Sequence, residues 1–322
     1  MPSILTRIGA DNKATGTYQQ DNALFLKQFA GEVLTAFDEA HLMKGVFRER
    51  NISSGKSAQF IYTGKASAKY FQPGDRTDND ENEIPQSEQT ILIDDLLISQ
   101  VKVYELDEMK AHYEVRSEFS KQLGQALARE CDSKLARTAL LAARSSNKIT
   151  SLPGGTVINA GSTVATDGNV LAAAIYQAAQ SLDEKDVGTD GTVCYLRPAQ
   201  YYSLVRNLDN INTDWGGNGS YADGTILKIA GIPIVKYNRL PNSNFSAVAG
   251  ENNAYAGDFS NTVALIAHRD AIGTVKLKDM VMEQSGSDYH IVHQSTLFVA
   301  SYAMGHGILR PECAVEITSA SA

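Results

Sequence analysis

The longest regular pattern in this chain runs from "DEMKAHYEVRSEF" to "LARTALLAAR", residues 107–144. Phe119, Leu123, Leu127, Cys131 and Leu135 recur at every fourth position, joined by Val115, Ala126, Leu140 and Leu141. That spacing puts them on one face of an α-helix. Unbroken, the segment predicts a rod roughly 57 Å long at ~1.5 Å per residue. A break near His112–Glu114 fits the pattern equally well. Gly124 costs about 1 kcal/mol inside such a helix, which a stripe this strong absorbs. A second stripe, Leu24, Phe25, Phe29, Val33, Leu34 and Phe37, predicts a helix over 21–44, capped at Asp21 or Asn22 and stopped by Gly45. Residues 1–20 are polar and mixed, the composition of a flexible arm.

Between the two helical stretches the pattern turns to β. Ser57–Thr63 is one strand-like run. The other starts at Thr90-Ile91-Leu92-Ile93 and continues through Leu97–Tyr104. About two dozen residues separate them, including "FQPGDRTDNDENEIPQSE", and a connection that long is rare inside a compact domain. A lone two-stranded hairpin is also marginal in water. The arm must fold back on its own body or lie on a neighbouring molecule.

After a Gly/Thr/Ser-rich passage (151–168) the chain alternates. Val170–Leu182 reads as a helix, Thr192–Leu196 as a strand, and Pro198–Leu208 as a helix with proline in its first turn. Strands follow at Ile226–Ile229, Ile232–Tyr237 and Val263–Ala267, separated by polar loops such as "NRLPNSNFSAVAGENN". From residue 273, "GTVKLKDMVMEQ" and "STLFVASYAMGHGILRPECAVEI" return to β patterning.

Composition narrows the class. Of 322 residues 43% are hydrophobic and 20% charged, ordinary for a globular protein. No apolar run approaches the ~18 residues of a membrane span, and the N-terminus lacks the pattern of a secretory signal. Cys131, Cys194 and Cys313 are scattered and odd in number, which points to small buried apolar groups in a reducing compartment and away from a zinc site. A net charge of −8 with no basic cluster argues against tight nucleic-acid binding. It is compatible with loose enclosure of DNA, since a weakly repulsive wall does not trap its contents.

Three stretches invite chemistry. Gly55-Lys56-Ser57 matches the end of a Walker A phosphate loop, but the opening glycine is replaced by Arg50 and the following run is strand-like, where a helix N-terminus must face the phosphates. A polar turn is the better reading. Asp78, Asp80 and Asn82 fit the first ligand positions of a calcium loop, yet Glu83 and Gln89 stand where the turn glycine and bidentate glutamate belong. His290 and His293 are three apart on what reads as a strand, which points them to opposite faces, and His306 lies between glycines with no partner in sequence. No Gly-x-Ser-x-Gly elbow or His-Glu-x-x-His motif occurs. The residues indicate neither a catalytic site, nor a metal, nor a cofactor.

"LFLKQFAGEVLTAF" (24–37), "ISSGKSAQF" (52–60), "HYEVRSEF" (112–119), "HRDAIGTVKLKD" (268–279) and "YAMGHGILRPE" (302–312) are collinear and frame nearly the whole chain. Through them it resembles the major capsid proteins of short-tailed phages in the T-seven-like podovirus group; the resemblance is weaker over 145–260. It implies an α+β fold of the Hong Kong 97 type: an N-terminal arm (1–46), an extended loop (47–105), a peripheral domain with a spine helix (106–168), an axial domain (169–268) and peripheral return strands (269–322). It also implies a structural protein of the virion that is not an enzyme. Such a protein assembles in the host cytoplasm as hexamers and pentamers of itself, around double-stranded DNA read without sequence specificity. A scaffolding protein, a portal at one vertex and expansion of the shell belong to the same picture; a membrane does not. Lys65, Lys69, Tyr70, Phe71, Asp75 and Arg76 are the expected inter-subunit contacts on the extended loop. Lys65 and Lys69 stand where some shells of this fold crosslink a lysine to an asparagine, but no carboxylate base is assignable and no crosslink is expected. Two other readings are a cellular nanocompartment (encapsulin-like) shell protein of the same fold and, remotely, a nucleotide-binding enzyme using Gly55-Lys56-Ser57.

Overall fold

The computed structural model describes residues 43, 45–66, 68, 70, 84–106, 115–149, 151–206, 219–220, 225–226 and 228–319. The expected helix over 21–44, the acidic calcium-like run, and Lys69, Phe71, Asp75 and Arg76 lie outside the described residues, as does the possible break at 112–114. The described residues fall in two compact units, one drawn from 94–132 and 276–304, the other from 43–93, 133–275 and 305–322.

The chain opens with β1 (Arg48–Asn51), β2 (Ser57–Thr63), β3 (Gln86–Leu92) and β4 (Leu97–Tyr104). The single run expected from Thr90 to Tyr104 is therefore two strands, and they belong to different sheets. Among the described residues β3 pairs only with β2, whereas β4 joins a four-stranded sheet in the order β1-β14-β15-β4. Here β14 is Ile272–Gln284 and β15 is Ser295–Ile308. Register from Ser295↔Tyr104 to Tyr302↔Leu97 sets Phe298, Ala300 and Tyr302 on the buried face of β15. The long helix α1 spans Val115–Arg144. Its stripe of Leu123, Leu127, Cys131 and Leu135 is buried, as the four-residue spacing requires.

In the larger unit β5 (Thr156–Asn159) leads into α2 (Gly168–Glu184), β6 (Thr192–Leu196) and α3 (Pro198–Val205). Asp167 caps α2 by accepting the Asn169 N–H at 2.9 Å. Leu171, Ile175, Ala178 and Leu182 make its buried stripe. Short strands follow: β7 (Gly219–Ser220), β8 (Thr225–Ile226), β9 (Lys228–Ile229), β10 (Ile232–Lys236), β11 (Asn244–Phe245) and β12 (Gly257–Asp258). Then come β13 (Thr262–His268) and, after β14 and β15, β16 (Ala314–Thr318). Six of these strands form one sheet in the order β5-β16-β13-β6-β10-β9, with parallel pairs β5/β16 and β6/β10 and the rest antiparallel. Its central strands β13 and β16 are buried along almost their whole length, so they carry continuous apolar runs where a half-exposed strand would alternate.

The end of α1 is fixed to this sheet. Arg144, in the helix's last turn, holds Glu316 of β16 with Nε at 2.6 Å and Nη2 at 2.7 Å from the two carboxylate oxygens. Thr262 Oγ1 donates to Glu316 Oε1 at 2.5 Å, and Arg144 Nη1 donates to the Asp258 carbonyl at 2.5 Å.

One local expectation is corrected. Residues 287–293 form a short helix, α4 (Ser287–His293), in place of a strand. His290 and His293 therefore share a helical face. His290 Nε2 lies 3.5 Å from Glu105, and His293 stacks on Tyr289 with ring centroids 4.3 Å apart.

Candidate assembly surface

Among the described residues the β2/β3 hairpin is a two-stranded sheet of its own. Its register runs from Ser57↔Leu92 to Thr63↔Gln86, so paired residues share a face. Ala58 and Ile91 are buried, Phe60 with Gln89 and Tyr62 with Ser87 are half-buried, and the opposite face of Gln59, Ile61, Thr63, Gln86, Glu88 and Thr90 is exposed. Ile61, in the middle of that face, is 75% exposed. Arg50 covers part of the β2 edge, donating from Nη1 to the Gln59 carbonyl at 2.8 Å with its guanidinium 5.8 Å from the Phe60 ring centre.

At the far end of the strands the Gly64 N–H donates to the Pro85 carbonyl at 2.8 Å and the Lys65 N–H to Ser151 Oγ at 3.3 Å. The Lys65 ammonium pairs with Asp186, whose carboxyl is held below its ordinary value by that hydrogen bond and charge. Tyr70 is 99% exposed. Of the six expected contact residues, Lys65 and Tyr70 are thus placed on the surface at this end of the hairpin.

The phosphate-loop question is answered by geometry. Gly55 has a φ of 107°, Ser57 opens a strand, and the Lys56 carbonyl accepts the Ile93 N–H at 2.9 Å. Gly55-Lys56-Ser57 is a turn at the hairpin's root. No helix N-terminus follows it, so the anion cradle is missing its essential part.

The other candidate chemistry resolves into packing. Among the described residues no group of three or more His, Cys, Asp and Glu side chains could hold a metal. His306 is buried, with Nδ1 3.0 Å from Thr274 Oγ1 and its backbone N–H donating to the Tyr255 hydroxyl at 3.0 Å. All three cysteines are buried and none forms a disulfide. Burial pushes the Cys194 thiol up to about 12, and burial with the nearby Glu312 pushes Cys313 up to about 12, so neither is a nucleophile near neutral pH. No described helix is long and apolar enough to cross a membrane.

Sequence reasoning missed Glu251, Asn252 and Asn253. They sit in a polar loop and take up the hairpin's root: Asn252 Nδ2 donates to the Ile93 carbonyl at 2.8 Å, and Asn253 bonds both backbone groups of Leu92. No local pattern signals this, because both partners are some 160 positions away.

Known proteins with the same sequence features are shell proteins. The major capsid protein of Escherichia phage T7 is 33% identical over 316 residues, covering 91% of this chain and 90% of that protein. The major capsid protein of Enterobacteria phage T3 is 33% identical over 330 residues, covering 94% of each. Among solved structures the capsid of cyanophage P-SCSP1u superposes with a TM-score of 0.81 at 43% identity, over 100% of this chain and 99% of that one. A family model described as Gp10A-like major capsid protein matches residues 59–318, from inside β2 to the end of β16. With the Hong Kong 97-type fold and kinship to phage capsid proteins over 91% of its length, this chain belongs to the Gp10A-like major capsid protein family.

Proposed function

We propose that copies of this chain close, as hexamers and pentamers, into an icosahedral shell around packaged double-stranded DNA in the virion of a short-tailed phage. The observation that carries this reading is the hairpin, with Ile61 75% exposed on a face that no other described strand pairs with or covers. In this reading residues 1–46 are the arm, 47–105 the extended loop, 106–168 and 269–322 the peripheral domain and 169–268 the axial domain. Lys65, Lys69, Tyr70, Phe71, Asp75 and Arg76 contact an adjacent copy. Tyr70 and Phe71 supply apolar area, and the acidic tip faces basic groups or solvent.

The role is mechanical and uses neither catalysis nor a cofactor. Assembly in the host cytoplasm uses a scaffolding protein, and a portal occupies one vertex. A net charge of −8 suits a container, because phosphate groups gain little by adhering to it. A nanocompartment shell shares the fold, but kinship at 33% identity to phage capsid proteins over 91% of the chain favours the virion. The test is electron microscopy of the expressed full-length chain, with and without its scaffold. Closed shells are expected; a monodisperse soluble monomer under all conditions overturns the reading.

A further inference from the structure

The hairpin whose outer face is exposed is held closely at its root. Ile91 is wholly buried there. A Cβ at position 305 would stand 1.9 Å from the Leu92 carbonyl oxygen, and one at 307 would stand 2.7 Å from the Ile91 side chain, so only Gly305 and Gly307 admit this approach. Asn253 then engages Leu92 twice. Its Oδ1 accepts the Leu92 N–H at 3.2 Å and its Nδ2 donates to the Leu92 carbonyl at 2.7 Å. One side-chain amide reproduces the pairing that a third strand would make. Asn252 adds the bond to the Ile93 carbonyl, one residue on.

The neighbour of this clamp is anchored on α1. The Glu251 side chain is only 6% exposed and lies 3.5 Å from Arg137 Nη2 and 4.0 Å from Lys134 Nζ. The Arg137 guanidinium sits 5.1 Å from the Phe245 ring centre and 5.8 Å from that of Tyr255, and Lys134 Nζ sits 5.3 Å from Tyr255. The Tyr255 hydroxyl in turn accepts the His306 backbone N–H. Asn253 Nδ2 also reaches the Tyr255 hydroxyl at 3.4 Å, so from the Leu92 backbone to α1 each step is a hydrogen bond or a ring contact. The network is buried at its α1 end, where Glu251, Lys134 and Arg137 are each under 10% exposed, and there a lost partner strands a charged group.

We propose that Glu251, Asn252 and Asn253 are positioning residues for shell assembly: they fix the angle at which the hairpin leaves its root and tie that angle to α1. The curvature of the shell is then set at this joint, because the hairpin's reach to a second copy follows its exit angle. The proposal rests on the assembly reading above. Load taken by the exposed half of the hairpin passes into the helix and is not dissipated in a loose hinge.

Full-length Asn253→Ala and Glu251→Gln, beside the unmodified chain, test this through thermal midpoint, amide exchange and particle diameter by electron microscopy. Asn253→Ala removes both Leu92 bonds, so the Leu92 amide should exchange about tenfold faster or more. Its particles should lose the single diameter of the parent shells and appear as open sheets or a spread of sizes. Glu251→Gln keeps the side chain's shape and the Asn253 clamp, and should also lose the single diameter while Leu92 stays protected. If Asn253→Ala fails to fold, Glu251→Gln carries the test alone. Variants that lose thermal stability and yield, but whose shells keep the parent diameter, overturn the joint. A parent chain that forms no shells overturns the assembly reading on which the joint depends.

Discussion

Glu316 lies in the middle of a six-stranded sheet with 0% of its side chain exposed, and it is met there by a fork of two Arg144 nitrogens and by Thr262. A buried pair of this kind adds little over a good apolar packing, but removing one partner is costly. Glu316→Ala leaves the Arg144 guanidinium facing an empty space, and about 3 kcal/mol of stability should be lost, the low end of the range because Arg144 remains 24% exposed. A urea titration should show a lower midpoint at unchanged slope. A second residue-scale prediction concerns acid. Burial alone would raise the Asp270 carboxyl, but the Arg48 hydrogen bond at 2.5 Å and the charges of Arg48, His268 and Arg269 outweigh it and hold the carboxyl below its ordinary value. A depressed carboxylate stabilises the fold above its unfolded value of about 3.9, and that contribution disappears as pH falls through the folded value. Arg48 is largely exposed, so the contribution is about 1 kcal/mol or less. Asp270→Asn should therefore lower the thermal midpoint slightly at neutral pH and converge with the parent chain as acid protonates the Asp270 carboxyl.

At the scale of elements the hairpin is where stability and function part company. Ile61 contributes little to its own chain's core, so Ile61→Asp should leave the thermal midpoint within a few degrees of the parent while abolishing sedimentable shells; a variant that assembles normally would remove this face from the interface. Much of the fold was legible at this scale. α1 and α2 announce themselves through four-residue stripes, β6 and β13 through apolar runs that are buried almost throughout, and β2 through its aromatic and β-branched residues. Three features were not. β5 is a four-residue strand, "TVIN", inside a Gly/Thr/Ser-rich passage, and its partner β16 lies far along the sequence. α4 has seven residues and none buried, so it has no stripe to read, and "DYHIVH" passes for a strand. The break between β3 and β4 is marked by the distant Asn252 and Asn253, which hold Leu92 and Ile93 just ahead of it. Gly55-Lys56-Ser57 could be read as a polar turn from its own neighbours; the Asn252 and Asn253 clamp at the hairpin's root could not, since its meaning lies wholly in long-range pairing.

At the scale of the whole molecule the assembled shell would be held by many weak contacts and no covalent ones. Lys65 is already engaged with Asp186 within its own chain, and no described carboxylate lies against it in an apolar setting that would take up a proton. Mature particles boiled in denaturant should run as single chains on a gel; ladders of multimers would show a crosslink. The placement of β16 has a further consequence, for manufacture. This strand is made after β5 and β13 yet fits between them, parallel to one and antiparallel to the other. While the chain is still emerging, the sheet has a gap with two bare edges, and bare edges invite the wrong partner. A chain that stops short of residue 314 cannot close its own sheet. Completion of the chain is thereby the condition for a closed core: a copy truncated before β16 should aggregate through its open edges and be missing from purified shells.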